Sequence, residues 1–219
     1  MAKPIAASRL LALGLLGAAF AAAPAGAQVA PGLSGSSTSA PVQMEEVWQE
    51  LAHYGRCVAG QRTQEALDIL RAETGSREES ERLGRLLRDR KTSCSHDFDL
   101  ILPAPLFRGA IAEGLYDRRV PMPPELAWAP IPKGSPVPTF SHIARCYLPG
   151  NEARVAQLVE KTKPGSREEA RAMAAIMPGF RACLPAAVRN RPFNITQVRL
   201  RLAEALLRMS PPRPAGETR

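Results

Sequence analysis

The residues of this chain with the types and spacing to do chemistry are four cysteines, three histidines and a pair of recurring acids. Cys57 and Cys94 stand 37 positions apart, as do Cys146 and Cys183. Four cysteines allow three pairings. An internal repeat, described below, places two in each copy and selects Cys57 with Cys94 and Cys146 with Cys183. In an oxidising compartment the expected use is a disulfide tying the first helix of each copy to the end of its third, and each closure would contribute about 4 kcal/mol by loop entropy. Zinc is the rival. His53 and Cys57 share a helix face four residues apart, as do His142 and Cys146, and His96 follows Cys94, so copy one could gather two sulfur and two nitrogen ligands. Copy two holds only one histidine and cannot match that set. The reading is therefore no metal and no cofactor, with His53 and His142 as packing or helix-end residues. A thiol nucleophile would need both pairs reduced outside the cytoplasm.

The acids are Glu113 and Glu204, each preceded by alanine and set among apolar helical residues. They could serve as a general acid, but a structural partner across helices is the better account. Arg201 and Arg208 are within reach of Glu204, whereas Arg108 lies five positions from Glu113, off its face. Ser-Arg-Glu-Glu at Ser76 and again at Ser166 reads as a capping box: the serine accepts from the amide three residues on, and Glu79 or Glu169 reaches back to the cap's own amide. Asn194 with Gln197 makes a similar start for the last helix. Arg82, Arg85 and Arg88, three apart, form a candidate ligand-binding stripe for phosphate-rich groups. Glu78 and Glu81 precede Arg82 and Arg85 by four, which makes surface pairs the plainer use, and copy two lacks the stripe. No phosphate-cradling loop, nucleophile elbow, metalloprotease helix or dinucleotide fingerprint is present, so no catalytic residue is assigned and no nucleic-acid partner is expected.

The elements that must position these residues occur twice. Gly75-Ser76-Arg77-Glu78-Glu79 returns as Gly165-Ser166-Arg167-Glu168-Glu169, and His53, Arg56, Cys57, Cys94 and Ala112-Glu113 match His142, Arg145, Cys146, Cys183 and Ala203-Glu204 in the same order. The expected fold is all-α: two tandem four-helix repeats at 44–117 and 137–210, each with one internal disulfide, joined by a proline-rich linker at 118–136. Apolar faces at Val47, Leu51, Tyr54 and Val58, at Ala66, Ile69 and Leu70, at Leu83, Leu86 and Leu87, and at Phe107, Ala110, Ile111 and Leu115 give the first four helices. Val155, Leu158 and Val159, then Met173, Ile176 and Met177, then Val198, Leu202, Ala205 and Leu206 echo them. Pro178-Gly179 should end or kink the third helix of copy two early. Phe98, Leu100 and Leu102 alternate like an extended segment. In the linker, Trp128 is expected to pin the chain onto its own domain.

Lys3 and Arg9, an uncharged apolar run from Leu10 to Ala23 and the small-x-small step Ala25-Gly26-Ala27 read as a signal peptide over 1–27. The run is too short to span a bilayer, so no transmembrane anchor is expected after cleavage. Residues 28–43 and 211–219 should be disordered. Of 29 basic residues 24 are arginine, and the net charge is +8 over 219 residues, a GC-rich bacterial signature on a basic, globular-length chain. The leader, an Arg-Cys step, Gly-Ser-x-Glu-Glu, a second cysteine and Arg-Gly-Ala-Ile-Ala-Glu-Gly-Leu-Tyr at 108–116 together resemble uncharacterised exported proteins of alpha-proteobacteria. Copy two departs where Arg199-Leu200-Arg201-Leu202 replaces the glycine-containing form. The resemblance implies export and duplication and supplies no reaction. The functional expectation is a periplasmic or secreted, non-enzymatic protein whose paired modules bind an envelope protein or an anionic polymer. The alternative is a small hydrolase of cell-wall glycan using Glu113 or Glu204.

Overall fold

A computed structural model describes residues 41–89, 94, 102–133 and 139–209, which contain eight α-helices and no strand. The 1–27 leader, residues 28–40, the 211–219 tail, the end of the proline-rich segment from 134 on, and His96, Phe98 and Leu100 lie outside the described residues. The helices are α1 (Pro41–Gln61), α2 (Thr63–Arg71), α3 (Arg77–Arg88), α4 (Ala104–Asp117), α5 (Phe140–Tyr147), α6 (Glu152–Lys161), α7 (Arg167–Ala182) and α8 (Ile195–Met209). Helix α1 thus reaches into the end of the 28–43 stretch. Among the described residues no helix is long and apolar enough to cross a membrane.

Helices α3 and α7 start as their sequences dictate. Ser76 Oγ accepts from Glu79 N at 3.1 Å, and Ser166 Oγ accepts from Glu169 N at 3.1 Å. The return bond differs from the capping-box expectation by one residue. Glu79 accepts from Gly75 N and Glu169 from Gly165 N, because Ser76 N and Ser166 N are already bonded to the carbonyls of Glu73 and Lys163. Both glycines sit at φ near +80°, a conformation that a Cβ would oppose. Asn194 Oδ1 accepts from Gln197 N at 3.0 Å and opens α8.

Helices α4 and α8 are buried on nearly every side, from Leu106 to Leu115 and from Val198 to Arg208, and they cross at the centre. Glycine sets the approach. A Cβ on Gly109 would lie 2.5 Å from Leu200 Cβ, so the leucine of α8 occupies the space that the glycine of α4 leaves. Gly114 likewise lets α1 pack against α4, where a Cβ would fall 2.4 Å from the Gly55 carbonyl. One apolar cluster gathers α1 to α4 around Trp48, Tyr54 and Phe107, and takes Leu200 and Leu207 from α8. The other gathers α5 to α8 around Tyr147, Met173 and Phe180. Residues 39–219 form one compact unit.

The cysteines pair as Cys57–Cys94 and Cys146–Cys183, with Cα separations of 5.5 and 6.0 Å, and no cysteine is free. Helix α7 corrects the sequence reading, because it continues through Pro178 to Ala182. An interior proline costs about 3 kcal/mol. Ile176 and Phe180 are wholly buried on either side of it, and the Cys183 bridge holds the end, so core anchors outweigh the lost backbone bond. Replacing Cys146 and Cys183 together by alanine should lower the unfolding free energy by about 2–5 kcal/mol in urea denaturation. A loss under about 0.5 kcal/mol would mean the helices already hold what the bridge closes.

Candidate functional site

Two arginines join the central helices. Arg108 on α4 is 1% exposed and Arg199 on α8 is 0% exposed. Arg108 Nε donates to Glu204 Oε1 at 2.8 Å, across to α8. Arg199 returns the bond across to α4, with Nε to Glu113 Oε2 at 3.0 Å and Nη2 to Glu113 Oε1 at 2.8 Å. Arginine and glutamate are five positions apart on each helix, so neither can pair along its own helix and each reaches the other. The remaining donors cap neighbouring helices. Arg108 bonds the carbonyls of Ile69, Leu70 and Ala72 at the end of α2, and Arg199 bonds those of Leu158, Val159 and Thr162 at the end of α6. A buried guanidinium is tolerated only when its fork is filled in this way, and here it also meets the negative helix ends. Glu79 adds a second carboxylate to Arg108 at 3.1 Å, and Glu169 lies 3.8 Å from Arg199.

The two acids differ in company. Glu204 is fully buried; desolvation pushes its pKa up, but Arg108, Arg208 and Arg201 together hold it below the ordinary carboxylate value. Glu113 has Arg199 alone as its ion-pair partner. Glu169 is raised by desolvation, against the opposing bonds from Thr196 and Gly165.

Four residues after each seam glutamate the chain diverges, with Arg208 after Glu204 and Asp117 after Glu113. Arg208 donates to the Leu126 carbonyl at 3.0 Å and to the Leu70 carbonyl, and lies over the Trp128 ring at 4.4 Å. Arg145 flanks the same ring at 5.7 Å. That mouth of the seam is filled by the protein's own proline-rich segment, so Trp128 pins the segment as expected. At the other mouth a cavity of about 570 Å³ remains. Its deepest walls are Ala52, Glu113, Val159 and Leu207, all buried, and its rim carries the exposed Arg56, Asp117, Arg119 and Lys163. Among the described residues the side chains of Arg56, Arg119 and Lys163 make no hydrogen bond or salt bridge. Arg119 closes α4 in the left-handed region at φ 54°, with Val120 N bonded to Leu115 O and Arg119 N to Tyr116 O, a Schellman end normally built on glycine. This turn lays Val120, Pro121 and Met122 along the cavity wall. The Asp117 carboxyl is pushed up to about 6, first by desolvation and then by Glu113 and Glu160, against the pull of Arg56 and Arg199.

The sequence-predicted residues fall elsewhere. Arg82 pairs with Glu78 at 2.7 Å, and Arg85 and Arg88 are exposed on α3. Arg82 and Arg85 line a second hollow of about 400 Å³ in which Glu65, Asp68 and Asp89 offset their charge, and none of the three reaches the seam cavity. His53 is exposed, and His142 Nδ1 sits 2.6 Å from Thr139 Oγ1 at the start of α5. Cys57 and Cys146 are spent in disulfides. Glu204 has its expected partners in Arg201 and Arg208, and the cross-helix partners expected for both acids are Arg108 and Arg199. The five-residue Arg-to-Glu spacing, present on both helices, was the signal that marks these two arginines. Comparisons with family models, with curated proteins and with solved structures found no significant match.

Asp117 fixes a sign. Its folded pKa, about 6 against an ordinary 3.8, means the folded state binds this proton more tightly than the unfolded chain. Its contribution to stability is full below the unfolded value and is lost as pH rises through the folded one. Asp117→Asn should therefore melt higher than the parent at pH 7.5, with the difference vanishing towards pH 4. A variant that melts lower at pH 7.5 would mean that Arg56 stabilises the carboxylate more than burial opposes it.

Proposed function

We propose that this chain is an exported, non-enzymatic helical protein of the cell envelope that binds a partner in the open mouth of its central seam. The observation that carries the reading is the division of labour along that seam. Glu113 and Glu204 are consumed by buried arginines, while three cations with no salt bridge rim the one cavity beside them. Clefts of about 300–1,000 Å³ with apolar walls and a few polar groups are the usual form of a binding site. Export is supported by the apolar leader and by two disulfides, which persist outside the reducing cytoplasm. A duplicated origin is supported by the recurrence of the same cap, bridge, arginine and glutamate in the same order in both halves, with 118–136 as the connection between them.

One observation favours the alternative, a hydrolase of cell-wall glycan. The acid would be Asp117, raised to about 6, in a cavity that Glu160 also lines. A glycosidase needs a raised carboxyl group with a second acid near it. Glu204 and Glu113 are unsuited to that role, because each is buried against arginine. The two readings part on turnover. Purified mature protein should leave peptidoglycan intact over prolonged incubation. Clearing of peptidoglycan that is lost in Asp117→Asn or Glu160→Gln, with helicity retained, would replace the binding reading with the enzymatic one.

A further inference from the structure

The two mouths of the seam are built from corresponding parts, and one of them shows what such a mouth holds. Each mouth contains the arginine that precedes a disulfide cysteine, Arg56 before Cys57 or Arg145 before Cys146. Each lies at the helix end that a seam arginine caps, α6 at the open mouth and α2 at the filled one. Each also has the residue four positions beyond a seam glutamate, Asp117 or Arg208. The filled mouth takes an extended segment with an aromatic ring. Trp128 lies between Arg145 and Arg208, and the backbone on either side is held by four bonds: Arg208 to Leu126 O at 3.0 Å, Trp128 N to Arg208 O at 3.1 Å, Arg145 Nε to Ala129 O at 2.8 Å, and Ile131 N to Arg145 O at 3.5 Å. Flanking prolines keep that segment extended at low entropic cost.

We infer that the open mouth binds an extended, proline-flanked peptide of a partner protein and receives its tryptophan side chain as the filled mouth receives Trp128. Arg56 takes the place of Arg145 over the ring face. Asp117 stands where Arg208 stands in the filled mouth, and a carboxylate there suits the positive ring edge and the indole N–H and disfavours a bare phenyl. Arg119 and Lys163 at the rim favour a peptide with acidic flanks. The left-handed Arg119 supports this, because a strained non-glycine residue is kept where its guanidinium borders the cavity.

This inference rests on the binding reading, and its test separates the two. The probe is the nonapeptide Pro-Glu-Leu-Ala-Trp-Ala-Pro-Ile-Pro, identical to residues 124–132, titrated into isotope-labelled mature protein. It should bind one to one and perturb the amides of Arg56, Arg119 and Met122. Replacing the tryptophan of the peptide by alanine should weaken binding about tenfold or more, and by phenylalanine severalfold. Arg56→Gln, an exposed change that leaves the core untouched, should weaken it about fivefold. Arg119→Gly should weaken it while raising the melting temperature, which separates loss of the site from loss of the fold. Trp128→Ala should empty the filled mouth and allow a second equivalent of peptide. Equal binding of the tryptophan and alanine peptides, indifference to Arg56→Gln, or no binding at millimolar peptide overturns the inference. If peptidoglycan or anionic vesicles then bind at the same residues, the peptide is wrong and the binding reading stands. If peptidoglycan is turned over, both fall.

Discussion

Arg108 and Arg199 are the two largest wholly buried side chains among the described residues, and neither can be buried without the helix opposite. Each guanidinium takes a carboxylate from the facing central helix and carbonyls from the end of a flanking helix. Removing one helix would leave a charged group in a dry interior, at a cost of several kcal/mol. Apolar packing alone could tolerate a slide of α4 along α8. A reciprocal pair of ion pairs cannot, because both would lengthen together. The crossing thus has one register, and Leu200 seated on Gly109 fixes the separation.

Much of the scaffold was legible because it depends on local rules. The serine caps of α3 and α7, the Asn194 start of α8 and the apolar faces of α2 and α6 follow from spacing along a single helix. The disulfide pairing followed from matched intervals. Where the outcome depended on tertiary structure, local rules misled. Pro178 lies inside α7 because buried neighbours on both sides hold the helix together. The Arg82, Arg85 and Arg88 stripe draws attention by its periodicity, yet acids from α2 and α3 answer it. Arg108 was set aside as a partner for Glu113 because five residues is the wrong helical interval. That interval is why its partner is on another helix.

The site was the least legible part, since it arises from a departure between similar halves. Arg208 and Asp117 hold corresponding places four residues beyond a seam glutamate. One seals its mouth against Trp128, and the other leaves a cavity with a strained arginine at its edge. Only when the two mouths are set side by side does the proline-rich segment become more than a connection, since its tryptophan shows the chemistry that a mouth of this kind accepts.

The account stands or falls on the seam, and a double-mutant cycle on Arg199 and Glu113 probes it most directly. With Arg199→Met and Glu113→Leu measured singly and together in urea, each single change should cost about 3–5 kcal/mol, because it strands a buried charge. The double variant should recover a large part of that loss, with a coupling energy above about 2 kcal/mol. Effects that add to within about 0.5 kcal/mol would show that the two residues act independently, and would contradict a reciprocal ion pair as the bond that joins the central helices.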